Sequence, residues 1–282
     1  MLVVLVAVAA WIACRPQLIR AVGKRVRDGV PLRRPLAWLQ TQASATGWTV
    51  PRWFAVEGVA GVALLLGLLM VAGLAAGFTA LLEDVLEGDG IAVIDRPAAH
   101  WLATHRDLWL TATLRVVTQA GSPPALGVLA VVVSALAVAR CRSWLPAVLG
   151  IIGAGGIALV VVTAKALVGR DRPAPPFAVI SEHGYSFPSG HATGTTAVAL
   201  LCAWMATRWL IRAWPWQVAL WAGAFALIGA VGFCRVYLGV HYLSDVAAGW
   251  LLGLAWAAAV VLVGSWWDDT RRRRTAATDS NP

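Results

Sequence analysis

The chain has 282 residues, is 59% hydrophobic and only 13% charged, and has a mean hydropathy of +0.72. Soluble domains run about 45–50% apolar and about 25% charged, so this composition excludes a water-soluble globule. The formal charge of +9 would point to nucleic acid in a soluble protein, but here the cations sit in short loops between apolar runs; membrane topology has first claim on them and no nucleic-acid partner is expected.

A bilayer core of about 30 Å is crossed by about 20 mostly apolar residues at a helical rise of about 1.5 Å per residue. At the start, Met1–Cys14 is apolar, short for a span, and lacks the basic opening of a signal peptide. It reads either as a short anchor or as the remnant of a longer segment. Six longer runs then predict core spans: Val59–Leu82, Pro123–Ala139, Trp144–Ala164, Ala192–Leu210, Trp214–Phe233 and Val246–Trp266. Between the first two, Ala98–Val117 carries Trp101, Leu102, Leu108, Trp109 and Leu114 near helical spacing, which predicts one amphipathic helix on the exterior interface. The tail after Asp268 is short and polar and reads as disordered. The expected fold is all-α, a polytopic transmembrane helix bundle.

Lys and Arg in short loops set the orientation. Arg15 to Arg52 holds eight basic residues against one acid, Asp28, and is expected in the cytoplasm. Alternation then puts Glu83–Ser122, with six acids and three Arg, outside. Arg140, Arg142, Arg208, Arg212 and the run Arg271–Arg274 fall inside. Four cations of the second half, Lys165, Arg170, Arg172 and Arg235, land outside against the rule and ask for a local reason.

The reason offered by the sequence is a set of three clusters at span ends on that side. They are Lys165-Ala-Leu-Val-Gly-Arg-Asp-Arg172-Pro173, then Phe187-Pro188-Ser189-Gly190-His191, then Arg235 followed by His241 and Asp245. Lys165, Arg172 and Arg235 gather positive charge, and Arg grips phosphate oxygens in two-pronged fashion. Pro188-Ser189-Gly190 opens a helix, whose free amides and glycine suit an anion. The expected ligand is a phosphoryl group. Three neighbouring cations would repel a divalent metal, so no metal and no cofactor is expected. His241 and Asp245 are four apart, which places them on one face of the last span's opening turn; the carboxylate can fix the imidazole tautomer and leave the other nitrogen as nucleophile. His191, on a different helix, can protonate the leaving oxygen.

The pattern Lys-x6-Arg-Pro, Pro-Ser-Gly-His, Arg-x5-His-x3-Asp resembles the three-part signature of the type 2 phosphatidic acid phosphatase family, which shares its site with vanadium haloperoxidases. It covers roughly Lys165–Asp245, on a six-span scaffold over most of Val59–Trp266. The resemblance implies that Lys165, Arg172, Ser189, Gly190 and Arg235 bind phosphate, that His241 forms a phosphohistidine oriented by Asp245, that His191 is the general acid, and that no metal is needed. The family's third motif usually opens Ser-Arg, whereas Cys234 stands here. The domain division is then 1–52 as apolar segment and basic cytoplasmic stretch, 53–267 as the transmembrane catalytic domain, and 268–282 as the tail. The expected activity is hydrolysis of a lipid phosphate or pyrophosphate, with polyprenyl phosphate or pyrophosphate, phosphatidic acid and phosphatidylglycerol phosphate as candidates. The alternatives are a lipid-linked phosphotransferase using the same residues, or an anion or proton transporter. The expected location is the cell membrane with the site extracytoplasmic; oligomeric state is left open.

Other residues read more plainly. Glu57 reads as an interfacial acid, and Glu182, His183 and Tyr185 as loop residues able to contact substrate. His100 and His105 read as interfacial polar residues and the 16 Trp as interface anchors. Asp171 is expected to hold Arg170 or Arg172. Cys14, Cys141, Cys202 and Cys234 follow no metal spacing and read as buried free thiols.

Overall fold

The structure, a computed structural model, describes residues 58–279. Met1–Cys14, the basic stretch to Arg52, Trp53 and Glu57 lie outside the described residues. The chain divides into two compact units, Met1–Leu69 and Met70–Pro282, and the site described below belongs entirely to the second.

Apolar runs become helices because lipid leaves backbone amides no other partners. Among the described residues there are nine α-helices and no strand. They are α1 Gly58–Glu87, α2 Asp95–Thr104, α3 Leu108–Val117, α4 Pro123–Cys141, α5 Leu145–Gly150, α6 Ile157–Val168, α7 Gly190–Met205, α8 Trp214–Tyr237 and α9 Leu243–Asp279. A π-helical turn, Ile151–Gly156, joins α5 to α6, and another, Ala206–Leu210, extends α7. Five segments are long and apolar enough to cross a membrane: Leu64–Glu87, Pro123–Cys141, Leu145–Val168, Trp214–Tyr237 and Leu243–Arg271. The protein is therefore a multi-span membrane protein. The sixth predicted run, Ala192–Leu210, is α7 with its π turn, and it is buried on nearly every face.

Burial of α7 organises the bundle, with α4, α6, α8 and α9 packed around it. Two of its buried threonines return their hydroxyls to their own helix, Thr193 to Ser189 O at 2.8 Å and Thr196 to Ala192 O at 2.7 Å, whereas the Thr195 hydroxyl has no partner among the described residues. Small residues on α9 allow the closest approach: a Cβ at Gly253 would stand 2.7 Å from Thr193 O, and one at Gly249 3.0 Å from Ser189 O. Val128, Val131 and Leu136 on α4, and Leu159 and Val162 on α6, face outward as a lipid-facing surface requires.

Three expectations are corrected. The single amphipathic helix over Ala98–Val117 is two helices, α2 and α3, broken at His105–Asp107. Arg106 in the break turns inward and donates to Tyr237 O at 2.9 Å and Phe177 O at 2.6 Å, while the Asp107 amide donates to Tyr237 Oη at 2.9 Å; a continuous helix could not deliver both. The span predicted to end at Ala164 continues to Val168, which brings Lys165 into its last turn. The tail read as disordered continues α9 to Asp279. Its start is anchored by Arg208 to Asp268 at 2.7 Å and Asp269 at 3.0 Å, and by Arg271 to Ser143 Oγ at 2.8 Å.

Candidate active site

The second unit draws its loops together around the start of α7. Helix α6 closes at Gly169, whose φ of +64° suits glycine in the left-handed region. One turn earlier, Lys165 reaches the loop carbonyls, donating to Ser186 O at 3.2 Å and to Tyr185 O. Arg172 is aimed the same way by backbone, donating to Gly184 O and Val240 O at 2.9 Å each and His183 O at 3.2 Å. Its Nη1 stands 3.1 Å from His241 Nε2.

Ser189 is the N-cap of α7, its hydroxyl accepting from the Ala192 amide at 3.5 Å. Gly190 is therefore the first helical residue, and Pro188 lies before the cap instead of at the first position. A Cβ at Gly190 would be 3.8 Å from Lys165 Cε, so the lysine chain lies across the helix start and its free amides. His191 occupies the same turn; its electrostatic neighbours are Arg235, Glu182, Arg172 and Lys165. Arg235, in the last turn of α8 and 1% exposed, pairs with Glu182 at 2.5 Å and reaches Thr118 Oγ1 at 3.4 Å. Its Nε has no partner among the described residues.

His241 and Asp245 are partners, as their spacing predicted, but not on one helical turn. His241 sits in the turn before α9, and Asp245 in that helix's first turn. The turn is tight: Gly239 has φ +71°, and a Cβ there would fall 1.8 Å from Phe177 O. His241 Nδ1 lies 3.3 Å from Asp245 Oδ2. Oδ2 also accepts from the Tyr242 amide at 2.9 Å and from Ser186 Oγ, while Oδ1 is 2.6 Å from Arg170 Nη1.

Burial pushes the imidazole of His241 down to about 4, against the pull of Asp245, with Arg172 and Arg235 adding to the depression. The ring is then neutral: Nδ1–H donates to Asp245 and the Nε2 lone pair faces Arg172. Burial opposes the charge on Glu182, but Arg235 outweighs it and holds the carboxyl below its ordinary range. The same opposition acts on Arg170, where Asp245 and Asp95 prevail and raise it.

All eight residues named from the sequence therefore border one region. Asp171, expected to hold an arginine, is exposed; Arg170 takes Asp95 and Asp245 instead, and Arg172 takes carbonyls and His241. His100 packs edge-on to Phe177 and His105 stacks on Trp101. Cys234 is fully buried against Leu114, Tyr237 and Leu238, so the family's usual serine position only packs here. Sequence reasoning missed Asp95, Ser186 and Ser244. Asp95 was one acid among six in a polar loop, and only folding brings it beside Ser244, 149 residues away. Among the described residues, no three His, Cys, Asp or Glu side chains are grouped so as to hold a metal ion.

Residues 143–269 match the profile of the PAP2 superfamily. The chain is 38% identical over 128 residues to decaprenylphosphoryl-5-phosphoribose phosphatase of Mycobacterium tuberculosis strain H37Rv, covering 44% of this chain and 63% of the relative, just under two thirds of its length. It is 28% identical over 181 residues to phosphatidylglycerophosphatase B of Bacillus subtilis strain 168, covering 63% of this chain and 86% of that protein. A shorter match, 41% over 71 residues, covers 24% of this chain and 29% of undecaprenyl-diphosphatase of Sulfolobus acidocaldarius. The fold resembles the crystal structure of a transmembrane PAP2 type phosphatidylglycerolphosphate phosphatase from Bacillus subtilis, with TM-score 0.64 and 24% identity over 71% of this chain and 96% of that one. The matched stretch, 143–269, includes every residue of the candidate site except Asp95 and Thr118.

Proposed function

We propose that the protein is a membrane phosphatase that hydrolyses a lipid phosphate or pyrophosphate through a phosphohistidine on His241, at the extracytoplasmic face. One observation carries this reading: the line Asp245–His241–Arg172, with contacts of 3.3 and 3.1 Å, aims a neutral Nε2 at a cation that can hold a phosphoryl oxygen. Nε2 attacks phosphorus as the P–O bond to the lipid breaks, and His191, protonated once a phosphate dianion lies beside it, gives its proton to the leaving oxygen. Water then attacks the phosphohistidine, His191 takes a proton from it, and inorganic phosphate leaves with His241 restored. Lys165, Arg172, Arg235, the Ser189 hydroxyl and the amides at Gly190 would hold the non-bridging oxygens.

The relatives are named for phosphatase action on decaprenylphosphoryl-phosphoribose, phosphatidylglycerophosphate and undecaprenyl diphosphate, which supports a lipid-linked phosphate as the substrate class. The basic inner loops support the orientation. The test is a rapid-quench experiment on purified protein with labelled polyprenyl phosphate, phosphatidic acid and phosphatidylglycerol phosphate. A base-stable, acid-labile phosphoenzyme should form with water as the sole acceptor and vanish in His241→Ala. Label remaining on His241→Ala would overturn the reading, and phosphate release that required an added lipid or sugar hydroxyl would make the protein a phosphotransferase.

A further inference from the structure

Arg170 lies outside the phosphate-binding set, yet both prongs of its guanidinium are held. Nη1 is 2.6 Å from Asp245 Oδ1 and 2.8 Å from Ser244 Oγ, and Nη2 is 2.7 Å from Asp95 Oδ2. Its carbon stands 4.4 Å from the Tyr242 ring centroid, so the aromatic face closes the remaining side. Asp95, 2% exposed, also accepts from Ser244, at 3.0 Å from the amide and 2.5 Å from the hydroxyl. Three segments distant in sequence meet here: the opening of α2, the loop after α6, and the opening of α9.

Two carboxylates this buried, with side chains 1% and 0% exposed, are compatible as anions only because the cation between them is shared. The sharing has a directional result. With Oδ1 of Asp245 pinned by Arg170, the carboxylate cannot rotate, and Oδ2 is presented to the imidazole together with Ser186 and the Tyr242 amide. Resting on the phosphohistidine reading, we propose that Asp95 and Arg170 are positioning residues: a carboxylate–guanidinium brace, anchored on exterior helix α2, that fixes Asp245 and through it the direction of His241 Nε2. Neither touches the phosphoryl group. Ser244 locks the brace to the first turn of α9.

A positioning role makes a prediction that a purely structural one does not. The charges facing His241 are Asp245 from α9, Arg172 from the loop and Arg235 from α8, with Lys165, Glu182 and His191 grouped around the same two arginines. Removing Arg170 leaves the Asp245 charge unshared, so His241 keeps its proton to higher pH and the acid limb of kcat/KM moves up. Removing the Asp95 charge leaves Arg170 to Asp245 alone, and the limb moves down. The substrate's own titration is common to all variants and cancels in the comparison.

The experiment uses the full chain in detergent with whichever of phosphatidic acid, phosphatidylglycerol phosphate or polyprenyl phosphate the wild type hydrolyses. Arg170→Gln and Asp95→Asn should each lower kcat by about 10- to 100-fold, as misalignment by a fraction of an ångström does, with KM changed less than about twofold. Arg170→Lys, whose ammonium lacks the two-pronged reach, should fall between wild type and Arg170→Gln. Should Arg170→Gln fail to fold, the near-isosteric Asp95→Asn carries the same test. Wild-type kcat in both variants, or limbs moving in the same direction, would overturn the brace. His241→Ala is run alongside: if it retains turnover, the phosphohistidine reading fails, whereas an inert His241→Ala beside unaffected Asp95 and Arg170 variants sinks the brace alone.

Discussion

At the scale of single residues, the site combines a buried neutral imidazole with a carboxylate on one nitrogen and a guanidinium on the other. Asp245→Asn keeps the shape but loses the acceptor that holds Nδ1–H, so it should lower kcat by about 10²–10⁴-fold with a smaller change in KM. Steady-state kinetics on the lipid substrate checks this; a KM effect alone would mean that Asp245 serves binding. The depressed His241 also links stability to pH. Its folded value of about 4 lies below the ordinary value of 6.5, so between these limits the unfolded chain binds the extra proton. The stability present above pH 6.5 is therefore lost as pH falls toward 4. His241→Gln does not titrate, so the gap in thermal midpoint between wild type and this variant should shrink on acidification through that window. A gap independent of pH would show that the ring is not buried as described.

At the scale of elements, α7 holds its place because α9 can come close. A branched side chain at Gly253 would meet Thr193 O at 2.7 Å and Thr196 Cβ at 2.7 Å, backbone and helix core that cannot give way. Gly253→Val should cost about 1–3 kcal/mol by overpacking, read as a lower thermal midpoint in detergent, and it should reduce activity because Ser189 and His191 ride on the same helix. The turn ahead of α9 is equally constrained. Gly239→Ala adds a methyl against Phe177 O at a positive φ, and should displace the loop whose Arg172 reaches His241. An unchanged midpoint in Gly253→Val would show that α7 and α9 are less closely held than these distances indicate.

At the scale of the molecule, charge separates the two ends of the bundle. Arg208 and Arg271 lie at one end, with Asp268 and Asp269 bound to Arg208, while Lys165, Arg172 and Arg235 converge at the other. The orientation predicts that cysteine at exposed Ser181 reacts with an impermeant maleimide on intact cells, whereas cysteine at Arg212 reacts only after permeabilisation. The reverse pattern would put the site in the cytoplasm. Because Lys165, Arg172 and Arg235 gather positive charge at the candidate site, turnover should survive EDTA, and orthovanadate should inhibit by resembling the transferring phosphoryl group.

Hydropathy alone located the spans, since an apolar run of span length has no stable alternative to a helix in lipid, and the clusters at span ends marked Lys165, Arg172, Ser189, Gly190, His191, Arg235, His241 and Asp245 as candidates that folding brings to one region. Local patterns could not carry further. The break between α2 and α3 depends on Arg106 turning to carbonyls of distant segments, and the helical continuation past Asp268 depends on Arg208 and Ser143. Asp95 gave no signal because an acid in a polar loop is ordinary; it acquires meaning only when folding removes it from water and supplies Arg170 as its counter-charge. Sequence determined which residues could do chemistry, because composition and periodicity are local properties. Tertiary structure decided which charges share a partner, because pairing is a matter of distance in space.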